Sequence, residues 1–162
     1  MTLANRVTLL RIILIPLCIL FLLNGFFGLA ATLFLLLAFS DAIDGYIARK
    51  YNQASELGKK LDPLADKILV LSALIGLTGL GLADPVAVIL ICSREFVVAS
   101  FRGDKNFGAI PIAKWKTVLQ IIAVVMIMLN LPFASWVLWA AVILSLISGG
   151  TYLWRNKLTS LI

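Results

Sequence analysis

The chain has 162 residues, 62% of them hydrophobic and only 14% charged, with a formal net charge of +6. Its mean hydropathy of +1.05 excludes an ordinary water-soluble globule, in which about a quarter of residues carry charge. The basic excess points to membrane orientation and anionic lipid and away from nucleic acid, because Lys and Arg cluster at the ends of apolar stretches and no basic stripe with interleaved aromatics occurs.

Taken in chain order, the first uncharged run covers residues 12–40. It is too long for an ordinary signal-peptide core. As one straight helix it would measure about 43 Å at 1.5 Å per residue, against a hydrocarbon thickness of about 30 Å. Two spans fit better, over residues 7–23 and 26–48, turning at Asn24-Gly25 with Gly28 as a second breaker. A third span is predicted from the LDPLADK segment to about residue 82, with Pro63 in its first turn, where the missing N–H costs nothing. Asp84-Pro85 opens a fourth span, to residue 101. The polar stretch RGDKNFGAIP forms a loop. The fifth span covers about residues 112–129, Asn130-Leu131-Pro132 turns the chain, and the sixth covers about residues 133–154. The length suits a single domain over residues 1–162.

Charge tests this count. Arg6 and Arg11 precede the first span. Arg49, Lys50, Lys59 and Lys60 lie between spans two and three; Arg102, Lys105, Lys114 and Lys116 between four and five; Arg155 and Lys157 after six. With six spans all of these fall on one side, and the opposite turns (NGFFG, GLADP, NLP) hold no Lys or Arg. Five spans would divide them. The expected fold is therefore an all-α integral membrane protein with six transmembrane helices and both termini cytoplasmic, in the cell membrane.

The two cysteines, Cys18 and Cys92, lie in apolar stretches without a CxxC spacing and read as small apolar residues. There is no histidine, so acid–base chemistry must use carboxylates, Lys, Tyr or Cys. Trp136, Trp139 and Trp154 read as interface anchors.

Against this background the stretch DAIDGYIARKYNQASELGKKLDPLADK is conspicuously polar. Asp41 and Asp44 are three apart near the end of span two. Asp62 and Asp66 are four apart at the start of span three. Each pair shares a helix face. A connection of about a dozen residues lets the two helices pack antiparallel, so that four carboxylates converge just inside the cytoplasmic face. Ionised acids in a partly dry site need partners. Two divalent cations would neutralise them, and hard oxygen ligands suit Mg²⁺, Mn²⁺ or Ca²⁺. The plainer alternative is a solvated helix end in which Arg49, Lys50, Lys59 and Lys60 pair with the acids. Gly45 inside a helix costs about 1 kcal/mol against alanine, and with Ala48 it clears a groove beside the acids, which favours a bulky ligand.

Asp41, Asp44, Gly45, Ala48, Arg49, Gly58, Asp62 and Asp66 together read D-x-x-D-G-x-x-A-R, eight residues, G-x-x-x-D-x-x-x-D. This matches the signature of the CDP-alcohol phosphatidyltransferases at every position, and the chain resembles that family. Asn5, Thr8, Arg11 and Pro16, the stretch from Arg94-Glu95 to Arg102, and Lys114, Lys116 and Thr117 extend the resemblance to its phosphatidylglycerophosphate synthase branch. Ala113 departs from the glycine expected before Lys114. The resemblance implies that CDP-diacylglycerol gives its phosphatidyl group to an alcohol, glycerol 3-phosphate in this branch, with release of CMP. It implies that Asp41, Asp44, Asp62 and Asp66 hold two divalent cations, Mg²⁺ or Mn²⁺, and that Asp66 also takes the alcohol proton. Gly45, Ala48, Arg49 and Gly58 would lie against the donor's cytidine diphosphate, with Asn5 and Thr8 as further donor contacts. A homodimer in membrane lipid is implied too.

Arg94 lies well inside the fourth span, where a charge is costly. It either pairs with Glu95 or another acid, or joins Lys114 and Lys116 in binding the acceptor's phosphate, a dianion suited to three cations. Another acceptor (inositol phosphate, inositol or serine), a non-catalytic lipid-binding role and a small cation transporter are the competing readings. The transporter is disfavoured because such sites tend to lie at the bilayer midplane.

Overall fold

A computed structural model describes the backbone of residues 3–50, 56–101 and 111–159, and the side chains of residues 10–40, 64–65, 67–100 and 115–151. Six helices and, among the described residues, no strand make up the chain: α1 Leu3–Leu23, α2 Phe27–Lys50, α3 Glu56–Gly79, α4 Pro85–Phe101, α5 Pro111–Met128 and α6 Ala134–Thr159. Each corresponds to one predicted span. The clearest difference is at α3, which starts at Glu56, so that Pro63 lies inside the helix and not in its first turn. The polar ELGKK segment, expected in the connection from α2, is helical as well, and residues 51–55 of that connection lie outside the described ones. Hydropathy marks where a helix becomes apolar, not where its hydrogen bonding begins.

Three helices end in the same way. After α1, Gly25 takes φ +80°; its N–H reaches the Leu22 carbonyl at 3.1 Å, and the Phe26 N–H reaches Phe21 at 2.9 Å. This is a Schellman cap, with its apolar contact supplied by the T-shaped Phe21–Phe26 ring pair. Gly81 (φ +72°) and Asn130 (φ 50°) repeat the pattern after α3 and α5, through Leu82 N–H to Leu77 O at 2.9 Å and Leu131 N–H to Met126 O at 2.8 Å. Asp84 then caps α4: its Oδ1 accepts from the Val86 N–H at 2.8 Å, with Pro85 at the first helical position. The turn residues seen in the sequence thus act through specific hydrogen bonds.

The helices form one bundle in which α3 touches α1, α2, α4 and α5, while α6 packs on α4 and α5. Small side chains line the contacts: Ala30, Ala65, Ala73, Ala87, Ala123 and Ala141 are fully buried. A Cβ added at Gly76 would meet Leu22 Cδ2 at 3.0 Å, which shows how closely α1 and α3 approach. Small residues at helix contacts are what membrane helices use when apolar burial does not drive association. The outer surface is the reverse. Ile13, Leu36, Ile75, Ile89, Phe96 and Ile147, drawn from five helices, are all more than half exposed. Each would cost about 1.5–3 kcal/mol in water relative to burial; in hydrocarbon the cost vanishes. The stretch Ala134–Thr151 of α6 is long and apolar enough to cross a membrane, and shorter apolar stretches run through α1, α2, α3 and α5.

Trp136 is the most exposed of these side chains, at 77%, near the start of α6, as an interface anchor would be. Cys18 is buried and donates to the Ala30 carbonyl at 3.4 Å; Cys92 is half-buried, and both are free.

Candidate functional site

Both acid pairs of the motif lie on helical backbone. Asp41 and Asp44 fall in the last part of α2, and Asp62 and Asp66 in the first half of α3. These two helices touch. The Asp44-Gly45 pair, which in isolation would signal a turn, is helical. Ala48 and Arg49 follow on α2, Gly58 precedes the second acid pair on α3, Asn5 and Thr8 lie on α1, and Lys114 on α5. The side chains of all these residues lie outside the described set.

Around this motif the described side chains show two polar groups that apolar helices would not carry without a reason. The first is Arg11. It is only 2% exposed and its Nη2 donates to the Ser40 hydroxyl at 3.3 Å. Ser40 immediately precedes Asp41, so α1 delivers a guanidinium to the approach of the first aspartate. In the sequence Arg11 was read for its charge bias and its place in the family's opening stretch; its position two turns inside α1 was the sign that it belongs to the interior.

The second group is centred on Glu95. One carboxylate oxygen accepts from Arg94 Nη1 at 2.9 Å and from the Lys116 ammonium; the other lies 3.6 Å from Lys67 Nζ. Arg94, Glu95 and Lys116 are nearly fully buried. Three cations from α3, α4 and α5 surround one anion, so these four side chains sum to +3 − 1 = +2. Arg94, Glu95 and Lys116 carry their charges in the interior while the Lys67 side chain is 27% exposed, and such an excess of positive charge is expensive unless an anion completes it. Arg94 is further fixed by α6: its Nε donates to the Ser145 carbonyl at 2.9 Å and its Nη2 to the Ser148 hydroxyl at 2.6 Å. The Gln120 Nε2, one turn along α5 from Lys116, is buried with no partner among the described residues.

The structure therefore brings Arg94 and Lys116 together, as the sequence suggested, and also realises the Arg94–Glu95 pair that was the other reading of the same residue. Lys67 was missed. Its signal was adjacency to Asp66, which links the cation cluster to the acidic motif within one helix. Glu95 was seen only as a partner for Arg94, whereas it joins three helices.

No His, Cys, Asp or Glu group able to hold a metal occurs among the described side chains; the four aspartates lie outside them. As a donor set, two carboxylate pairs at helical spacing on touching helices, with no histidine or thiolate beside them, fit hard divalent cations such as Mg²⁺ or Mn²⁺.

Comparison with known proteins gives the chain's relatives. Residues 1–147 match the family model described as CDP-alcohol phosphatidyltransferase. A Bacillus subtilis protein named CDP-diacylglycerol–glycerol-3-phosphate 3-phosphatidyltransferase is 38% identical over 182 aligned residues, covering 95% of this chain and 94% of that protein. A Rickettsia bellii protein of the same name is 38% identical, covering 93% of this chain and 92% of its own length. A Mycobacterium tuberculosis protein named probable phosphatidylglycerophosphate synthase is 37% identical over 94% of this chain and 80% of its own.

Proposed function

Because this chain belongs to the CDP-alcohol phosphatidyltransferase family, we propose that it is a membrane enzyme that moves the phosphatidyl group of CDP-diacylglycerol onto glycerol 3-phosphate, forming phosphatidylglycerophosphate and releasing CMP. One observation carries the choice of a phosphorylated acceptor: the cluster in which Lys67, Arg94 and Lys116 meet Glu95, whose net positive charge suits a phosphate dianion. Neutral inositol or zwitterionic serine would leave that charge unanswered. The names of the relatives from Bacillus subtilis and Rickettsia bellii support the same substrates.

In this reading Asp41, Asp44, Asp62 and Asp66 would hold two divalent cations, and these would supply charge neutralisation for the donor's pyrophosphate. Gly45, Ala48, Arg49 and Gly58 line the cytidine diphosphate, with Asn5 and Thr8 beside it. Arg11 steadies the start of the motif through Ser40. Arg94 and Lys116, with Lys67 and Lys114, hold the acceptor's phosphate and so orient its free hydroxyl. Asp66 accepts the hydroxyl proton. The acceptor oxygen then bonds to the lipid-bearing phosphorus, the bond from that phosphorus to the bridging oxygen breaks, and the bridging oxygen leaves on CMP. Like charges close together raise a carboxyl pKa, so an aspartate can serve as base without histidine.

The basic residues that fall beyond alternate ends of the apolar runs in the sequence support six spans with both termini and the site on the cytoplasmic side. A homodimer is the assembly that the family resemblance favours.

The test is direct. Detergent-purified protein is incubated with CDP-diacylglycerol, Mg²⁺ or Mn²⁺, and a panel of alcohols, and CMP release is followed. Release with glycerol 3-phosphate alone is expected. Release with inositol or serine but not glycerol 3-phosphate overturns the acceptor, and no release with any alcohol overturns the activity.

A further inference from the structure

We infer that Ser145, Ser148 and Gly149 of α6 form a positioning seat for Arg94, and that this seat sets the affinity for the acceptor's phosphate. The inference rests on the proposed acceptor role of Arg94. None of the three α6 residues belongs to the acidic motif or carries charge.

The seat has two parts. The first is hydrogen bonding. Arg94 Nε donates to the Ser145 carbonyl at 2.9 Å, Arg94 Nη2 donates to the Ser148 hydroxyl at 2.6 Å, and that hydroxyl donates onward to the same Ser145 carbonyl at 3.1 Å. With Nη1 on Glu95 at 2.9 Å, three of the five guanidinium N–H groups are committed to partners among the described residues, which leaves two for an anion. The plane of the fork is fixed by partners on two helices.

The second part is space. A Cβ placed on Gly149 would stand 3.1 Å from both Arg94 Cγ and Nε, whereas one placed on the next residue, Gly150, meets nothing within 4 Å among the described residues. Most Arg side chains could swing away from such a contact. Here the Nε is bonded to Ser145, and the burial of Arg94 at 7% exposure leaves little room. Moving the stem breaks the Ser145 or Ser148 bond and turns the fork. Ordinary helix propensity would favour alanine over glycine at both positions, so the bare backbone at Gly149 is explained by the approach of Arg94.

Gly149 and Gly150 give an internal control, because the same substitution at neighbouring positions changes helix propensity equally but meets Arg94 only once. The wild type and the Gly149→Ala, Gly150→Ala, Ser148→Ala and Arg94→Ala variants are purified in detergent, and CMP release is measured with glycerol 3-phosphate and CDP-diacylglycerol varied in turn. Gly149→Ala and Ser148→Ala are expected to raise the KM for glycerol 3-phosphate about tenfold, the loss of one charge-assisted hydrogen bond, with the donor KM within about twofold. Gly150→Ala should match the wild type. Gly149→Ala behaving like Gly150→Ala, or raising both KM values together, overturns the seat. Should Gly149→Ala fail to fold, Ser148→Ala decides alone, since it removes one hydroxyl from a small buried side chain. Arg94→Ala separates the two levels. A selective acceptor effect there without one at Ser148 and Gly149 removes the seat and leaves the acceptor role standing. No selective effect at Arg94 removes both.

Discussion

Glu95 on α4 holds the ammonium of Lys116 on α5, with 4% and 6% of the two residues exposed. The pair is not isolated, because Arg94 and Lys67 reach the same carboxylate. Removing the anion leaves three cations facing one another. Glu95→Gln should therefore destabilise the fold by about 3–5 kcal/mol, the cost of losing one partner of a buried pair, and show a lower thermal midpoint in detergent. Adding Lys116→Met should restore part of that stability without restoring turnover. A double variant as unstable as the sum of the singles would show that the two side chains are not coupled.

Asp66→Asn should abolish CMP release while CDP-diacylglycerol binding largely survives, since an amide can still occupy the site but cannot take the hydroxyl proton. Binding of the donor, followed by calorimetry, decides this. A loss of donor affinity as large as that of Asp41→Asn would make Asp66 chiefly a metal ligand.

Chelation with EDTA should stop turnover, and Mg²⁺ or Mn²⁺ in excess should restore it, because four carboxylates without cations repel one another and the donor's pyrophosphate. Full activity in the presence of chelator would remove the metal role of Asp41, Asp44, Asp62 and Asp66.

Two glycines in neighbouring places should respond oppositely. Gly25→Ala forces a side chain into φ +80° and should destabilise by about 1–2 kcal/mol. Gly28 is helical, in α2, with nothing within 4 Å of an added Cβ among the described residues, so Gly28→Ala should stabilise by up to about 1 kcal/mol. Thermal midpoints in detergent measure both, and neither should change KM for either substrate.

Much of this molecule could be read before its fold was known. Six apolar runs, with the basic residues gathered beyond alternate ends of them, foretold six helices. The regular spacing of Asp41, Asp44, Asp62 and Asp66 placed each pair on one helix. What could not be read was lateral contact. Nothing in the sequence says that Arg94 turns toward Ser145 and Ser148 rather than toward another helix, because residues fifty positions apart meet only through packing. Lys67 was hidden for a related reason: one step from Asp66 puts it on a different face of α3, and only the location of α4 makes that face important. The early start of α3 was obscured because charged residues lower hydropathy without ending a helix.

The three Schellman turns after α1, α3 and α5 have a consequence for how the bundle is put together. Each joins two helices by only a few residues, so the bundle is assembled from three hairpins. Lys67 and Glu95 belong to one hairpin, and Lys116 and Ser148 to another. Glu95 thus finds counter-charges inside its own hairpin, from Arg94 on α4 and Lys67 on α3, while Lys116 is brought by another. A buried charge that would be costly alone is partnered within one hairpin, and its full set of contacts is completed by the hairpin that carries α5 and α6.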